Sequence, residues 1–574
     1  MKSLGISENK MLLTEVQNIH GKVADAIKMY ESHPSILKIK ENVDIETTFS
    51  FSPISTEDIH AEIKSLNTRK AIPYMNIPPK QLKEVIDIIV KPLQGIWNEE
   101  ILINKKFPSK LKMADISPIF KKLESVKKGN YRPVSVLPVV SKVFERIMDT
   151  QTNEYMEKFL SPYLCGYRKG YSCQHALLVM IERWKKSLDN GGYAGGVLMD
   201  LSKAFDTINH KLLIAKLHAY GFELSSLEII YDYLSDRWQR TKINTSFSSW
   251  SKVLSGMPQG SVLGPKYFNI YINDLFFIFV YTSVCNMADD TTPYVCDMDL
   301  PNLIRNLEED TASAIFWFEA NYMILNPGKC HALIAGPKTM VEQMFIEVGE
   351  QIIQESCEER LLGVTIDKKL RFNSHLRNIC KKAGAKVTAL VRLARIIPFK
   401  KKRITMNAFI ESQFSYCPLV WMFCSRTLND KINHIHERAL RLVYLDYTSS
   451  FDELLKKDNV VTIHQRNIQL LATEMFKMIK GIGPEIMRTL FNINDNDKSN
   501  KSFFTPNVTS EHNGKNSIRY FGPVVWDTML PDGLKSIQNL EKFKTEVKKW
   551  VPKDCPCRLC KEYVAGLGFV TTFE

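Results

Sequence analysis

The chain has no long apolar run. Its most apolar stretch, Leu275 to Val284, is preceded by Asn273 and Asp274 and is far shorter than the ~20 residues of a membrane-spanning helix. A buried strand pair is the expected use of that stretch. Residues 1–20 carry Glu and Asn and lack the apolar centre of a secretory signal. Paired cysteine spacings are also missing from most of the chain. The 12 cysteines are scattered singly over much of its length, which excludes a disulfide framework and fits the reduced thiols of an intracellular protein, nuclear or cytoplasmic. There is no internal repeat and no long low-complexity tract, so solenoids and fibrous folds are excluded. Regular alternation of strand and helix is absent as well, which argues against a doubly wound sheet or a TIM barrel.

What remains is globular. Of 574 residues, 44% are hydrophobic and 24% charged, and at ~150 residues per domain the length allows roughly four units. Lys and Arg number 76 against 63 Asp and Glu, a net charge of +13. A basic balance of this kind suits a polyanionic partner, nucleic acid or an anionic membrane surface.

The pattern of elements predicts an α+β core over about 110–370 and a helical region beyond it. Ser55 or Thr56 caps a helix carrying Ile59, Ile63 and Leu66 at helical spacing. Residues 81–104 read as a second helix with Leu82, Val85, Ile89 and Leu93 on one face. Strands are expected at 112–122 and 195–199, two more at 280–297 around a tight turn at Asp289–Asp290, and others at 330–335 and 361–366. Residues 373–490 read as mainly helical, 491–516 as a loop and 537–550 as a last helix.

Two places set carboxylates at the ends of apolar strands. Asp200 ends GGVLMD, and Asp289 and Asp290 sit in CNMADDTTPYV. Clustered carboxylates repel, so a shared site needs a cation. Oxygen-only ligands favour Mg²⁺ or Mn²⁺, and two such ions ~3.5–4 Å apart can stabilise both the attacking and leaving oxygens of a phosphoryl transfer. Taken singly, Asp200 is better explained as a helix cap and Asp289–Asp290 as a hairpin turn.

The joint order of motifs goes further. DLSKAFDTINHKLL from Asp200, SGMPQGSVL from Ser255, MADDTT, LNPGK (325–329) and LLGVTID (361–367) follow one another, preceded by SPIFKK…GNYRPVSVLPVVSKVFERI (117–147) and LCGYRKGYSCQHALL (164–178). From about Ser55 to its C-terminus the chain resembles the reverse transcriptases of non-LTR retrotransposons of the jockey-like group. The resemblance implies a right-hand polymerase of fingers, palm and thumb, with an antiparallel palm sheet and a helical thumb. Its expected division is a helical linker and start of the fingers over 1–105, fingers and palm over 106–370, thumb over 371–490, and a C-terminal region over 491–574.

It also implies roles for individual residues. Asp200, Asp289 and Asp290 would hold two Mg²⁺ or Mn²⁺ ions, with the Leu201 carbonyl as a further ligand. Phe205 falls at the steric gate that excludes a 2′-OH. Gln259 and Gly260 lie in the loop approaching the incoming nucleotide. Lys329 would protonate the leaving pyrophosphate. Arg132, with Lys121 or Lys122, would grip the triphosphate. Partners would be an RNA template, a DNA primer and dNTPs. Lys381, Lys382, Lys386 and the run Lys400 to Arg403 are candidate contacts to the nucleic-acid backbone, a nuclear-import signal or a solvated face.

Two departures bear on activity. Met287 stands where related motifs carry Tyr or Phe, which leaves open an inactive remnant that still binds RNA. Relatives of this type carry an endonuclease upstream and none is legible here, so DNA nicking is expected from a separate endonuclease, from a longer isoform, or not at all. At the other end Cys555, Cys557 and Cys560 form a CxCxxC cluster. Zinc wants four ligands, and His512 is the nearest further candidate in sequence.

Overall fold

The structure, a computed structural model, describes residues 18–73, 76–121, 124–337, 345–348, 351–494 and 501–564. Lys122 and the segment before residue 18 lie outside the described residues. Helices and sheets are mixed along the chain. In chain order the strands that matter here are β1 (Met113–Phe120), β2 (Tyr131–Val136), β3 (Tyr193–Leu198), β4 (Leu201–Ser202), β5 (Arg237–Ile243), β6 (Ser246–Phe247), β7 (Ser251–Val253), β8 (Ser283–Met287), β9 (Asp290–Asp297), β10 (Ile324–Leu325) and β11 (His331–Ala335). None of the helices among the described residues is long and apolar enough to cross a membrane.

The chain folds into two compact units. The first comprises the described residues up to Tyr167 together with Leu201–Val280 and Ser313–Asn326. Its sheet is ordered β2-β1-β5, with β6 and β7 each pairing β5. β1 runs antiparallel to β2 and parallel to β5. Ser55 caps the helix Thr56–Ser65, accepting from the Asp58 backbone while the Asp58 carboxylate accepts from the Ser55 N–H. This reciprocal cap satisfies two donors that the first helical turn leaves free.

The expected helix at 81–104 is three pieces instead. It divides into Pro79–Glu84, Ile86–Gly95 and a wide π-helical turn, Ile96–Ile103. Pro92 inside the second piece has no N–H to donate. Val85 sits at the first break with its side chain 42% exposed, while Ile86 is buried in its place. Trp97, Phe107, Phe144 and Tyr233 are among the bulky residues of this core. Deeper still, the buried Lys216 ammonium lies 2.6 Å from Asp274, whose other oxygen accepts from Trp317 Nε1 at 2.7 Å. With both charges paired and bonded, neither is left uncompensated.

The second unit comprises Arg168–Asp200, Tyr281–Ala312 and the described residues from Pro327 onward. Its sheet is ordered β11-β3-β9-β8 and is antiparallel throughout. The helix Cys173–Asp189 packs on β3, β8 and β9. Gly195 in β3 is required by the opposite packing: a Cβ there would come within 3.0 Å of Leu303 and Leu307. Beyond Phe372 the unit is mainly helical, with Asn373–Leu393, Arg426–Tyr444 and Ile463–Ile479 the longest helices.

Three further expectations change. The run Leu275 to Val284 is not a strand pair. It opens in the short 3₁₀ helix Asn273–Phe277, Val280 is 76% exposed, and β8 begins only at Ser283. The run Lys400 to Arg403 is only half a solvated face: Lys400 and Lys401 are exposed, whereas Lys402 is buried and Arg403 pairs with Glu411 and Asp458. Residues 491–516 are not wholly a loop, since Asn492–Ile493 pairs with Phe503–Phe504.

Candidate functional site

The carboxylate cluster belongs to the second unit and follows from strand register. β3 pairs β9 with Gly196 opposite Tyr294, and an isolated bridge continues that register with Met199 opposite Thr291. Continued by one residue, that register brings Asp200 beside Asp290, and the two carboxylates interact electrostatically. β8 and β9 close with Met287 opposite Asp290, so the turn is Ala288–Asp289, one residue earlier than the sequence suggested. Asp290 is already the first residue of β9.

The shift has a local cause. Ala288 adopts a left-handed conformation with φ of 59°, which costs a non-glycine residue roughly 1–2 kcal/mol. Buried Asn286 holds the turn in place: its Nδ2 donates to the Ala288 carbonyl at 3.1 Å and to Thr291 Oγ1 at 3.2 Å. Strain retained under such support recurs at functional sites.

The electrostatics match the geometry. Asp290 keeps solvent access, yet partial burial, then the like charges of Asp289 and Asp200, push its carboxyl up to about 6. Lys329 supplies countercharge, its Nζ lying 2.9 Å from Asp200 Oδ2. Both side chains of that pair are substantially exposed, at 64% and 42%, so solvent screens the attraction and the pair adds little stability. Three expected metal ligands and the expected proton donor thus share one unit. Leu201 belongs to the other unit, in β4, where it pairs with Leu325 of β10.

The expected nucleotide-binding residues all lie in the first unit. Phe205 stacks on Phe268 with ring centroids 4.4 Å apart and planes 9° from parallel, and Tyr167 meets it edge-on at 5.9 Å. The Phe205 carbonyl accepts from Met257 N–H at 2.8 Å. Gln259 Nε2 donates to Asp206 Oδ1 at 2.9 Å, and its carbonyl accepts from Ser135 N–H at 2.7 Å. Gly260 has φ of +124°, and a Cβ there would fall 2.6 Å from the Ser135 carbonyl. Only glycine permits that approach. The loop 257–260 is therefore tied both to Phe205 and to β2.

Arg132 is exposed on β2, paired with Ile119 of β1, and Ser135 lies further along the same strand. Lys121 is exposed just beyond β1, its N–H donating to the Asn130 carbonyl at 2.8 Å. Among the candidate backbone contacts, Lys381, Lys382, Lys400 and Lys401 remain exposed.

A second cluster was legible only in part, from its three cysteines. His464, Cys555, Cys557 and Cys560 are all buried, and their ligand atoms lie within 4.8 Å of one another. His512, the nearest candidate by sequence, bonds instead to the Lys369 carbonyl at 2.9 Å. The fourth partner is separated from Cys555 by 91 residues, so no local spacing announces it.

The family described as "Reverse transcriptase (RNA-dependent DNA polymerase)" matches residues 119–366. The chain is similar to the "Probable RNA-directed DNA polymerase from transposon BS" of Drosophila melanogaster, 26% identical over 413 residues, covering 70% of this chain and 45% of that protein. It is also similar to the "RNA-directed DNA polymerase from mobile element jockey" of Drosophila melanogaster, at 25% identity over 60% of this chain and 39% of that protein. The protein of the same name from Drosophila funebris is 21% identical over 72% of this chain and 46% of its own length. The chain spans less than half the length of these relatives.

Proposed function

We propose, from the match of residues 119–366 to the reverse transcriptase family, that the chain is the RNA-directed DNA polymerase of a non-LTR retrotransposon. It would join dNTPs to a primer 3′-OH on an RNA template. The observation that carries the reading is the strand register that brings Asp200 beside Asp290, with Asp289 in the adjoining turn and both carboxylates acting on that of Asp290. In this reading the fold is a right-hand polymerase, with fingers and palm over 106–370, a helical thumb over 371–490, and flanking regions over 1–105 and 491–574.

The donor set fits hard divalent cations. It is all oxygen, and partial burial together with the like charges of Asp289 and Asp200 raises the Asp290 carboxyl, a cost that a cation relieves. Asp200, Asp289 and Asp290, with the Leu201 carbonyl, would hold two Mg²⁺ or Mn²⁺ ions, which stabilise the charge on attacking and leaving oxygens. The remaining work falls to side chains. Lys329, whose Nζ lies 2.9 Å from Asp200 Oδ2, would deliver a proton to the departing pyrophosphate. Phe205, clamped between Phe268 and Tyr167, presents a rigid ring to the sugar. Arg132 and Lys121 would meet the triphosphate, while Gln259 and Gly260 approach the base. Positioning and electrostatics carry most of such a reaction.

Primer extension tests the proposal. Purified chain receives an RNA template, a DNA primer, dNTPs and Mg²⁺ or Mn²⁺, beside a D289N/D290N control. Extension by the parent alone is expected. Failure to extend, with salt-sensitive RNA binding retained, would instead identify an inactive retroelement remnant.

A further inference from the structure

The cysteines near the C-terminus and a histidine from a distant helix meet in a form that the polymerase reading does not use. His464 is the second residue of the helix Ile463–Ile479, whose start is fixed by a reciprocal cap between Thr462 and Gln465. Its Nε2 faces two sulfurs, Cys557 Sγ at 3.4 Å and Cys555 Sγ at 3.9 Å. Its Nδ1 is buried and has no hydrogen-bond partner among the described residues, so the sulfurs are the polar company this ring keeps.

The chain around the cysteines is fastened to the same helix. Gln465 Nε2 donates to the Pro552 carbonyl at 3.3 Å, and Gln469 Nε2 donates to the Trp550 carbonyl at 2.6 Å. Just before this segment, Phe543 stacks on Phe476 with centroids 4.3 Å apart. Residues 550–560 are thereby laid along the helix, with their cysteines gathered at its first turn.

We propose that His464, Cys555, Cys557 and Cys560 bind one zinc ion that fastens the C-terminal segment to the Ile463–Ile479 helix. Zinc bonds of ~2.3 Å to sulfur and ~2.0 Å to nitrogen set tetrahedral ligand atoms roughly 3.5–3.8 Å apart. The distances from His464 bracket that range, and the whole set lies within 4.8 Å. Three soft sulfurs and one imidazole select zinc over the hard cations that carboxylates hold. All four ligands come from the protein and all four are buried, which is the closed composition of a structural site, with no position left for substrate. Zinc binding would release the thiol protons to solvent.

Elemental analysis of the full chain, purified without chelators, tests this. About one zinc per chain is expected. H464A and C557S should lose the metal, whereas H464C, which keeps four soft ligands, should retain it, as should C357S at an exposed cysteine outside the cluster. Replacing zinc with Co²⁺ should give a thiolate-to-metal charge-transfer band in the parent chain and in H464C. Limited proteolysis should release the segment after Trp550 faster in H464A, while helix content measured by circular dichroism stays close to that of the parent. A parent chain with no zinc and no cobalt–thiolate band would overturn the proposal. So would a folded H464A with undiminished zinc.

Discussion

The second unit builds two ionisable clusters in opposite ways. Asp200, Asp289 and Asp290 are acidic, reachable by solvent and assembled by strand register, with their mutual repulsion only partly offset by Lys329. His464 and the three cysteines are buried and assembled by a helix and a distant segment packed on it. An open oxygen cluster exchanges its cation and leaves room for reacting groups. A closed sulfur cluster completes its metal's coordination and leaves none. In the proposed reading the contrast is between a site for chemistry, which tolerates electrostatic strain in the free protein, and a site for structure, whose bound metal would complete it.

The largest effect that would test this contrast comes from Asp289→Asn. Losing one carboxylate of the open cluster should slow primer extension by ~10³-fold or more, the scale of several kcal/mol of metal stabilisation. Zinc content should not change. Lys329→Ala comes next. Removing a general acid should slow extension by ~10²-fold, and the change in unfolding free energy should stay below about 1 kcal/mol because the pair with Asp200 is exposed. Single-turnover rates and denaturant melts read the two quantities separately. Phe205→Ala touches neither cluster. It should relax discrimination against ribonucleotides by roughly 10–100-fold, a steric contribution of a few kcal/mol at most, as measured by the ratio of kcat/KM for matched rNTP and dNTP.

The smallest effect is on pH dependence. Asp290 is pushed up to about 6 from an ordinary value of 3.8. Between those values the folded chain holds a proton that the unfolded chain has released. The stability of the Mg²⁺-free protein should therefore fall as pH rises from about 4 to about 6, and stay at its low level above that window. Asp290→Asn should remove this part of the slope and raise stability at neutral pH. Thermal melts in Mg²⁺-free buffer across the window check both.

The carboxylates were legible in the sequence because each ends an apolar strand and the motifs around them keep their order. Their pairing was not, since register is fixed by hydrogen bonds between strands. The turn was misread by one residue because nothing in Ala288 announces a left-handed backbone. Asn286, a buried polar residue in an apolar strand, was the available signal. The helix Thr56–Ser65 was legible from its cap. The helix expected at 81–104 failed because apolar spacing was followed through Val85 and Pro92, where the backbone breaks or loses a donor. Lys402 and Arg403 show the same weakness, since a run of like charges says nothing about the acids that will meet it. His464 was beyond local reading altogether, because only tertiary packing brings it to the cysteines.

The pairing of Asp200 with Asp289 and Asp290 is the claim on which the rest depends. Mn²⁺ binding to the full chain, followed by electron paramagnetic resonance in the parent, D200N and D289N, tests it most directly. The account predicts that either substitution removes the bound Mn²⁺ signal while zinc stays in place. Undiminished Mn²⁺ binding in folded D200N would contradict it, because Asp200 would then share no cation with the other two carboxylates.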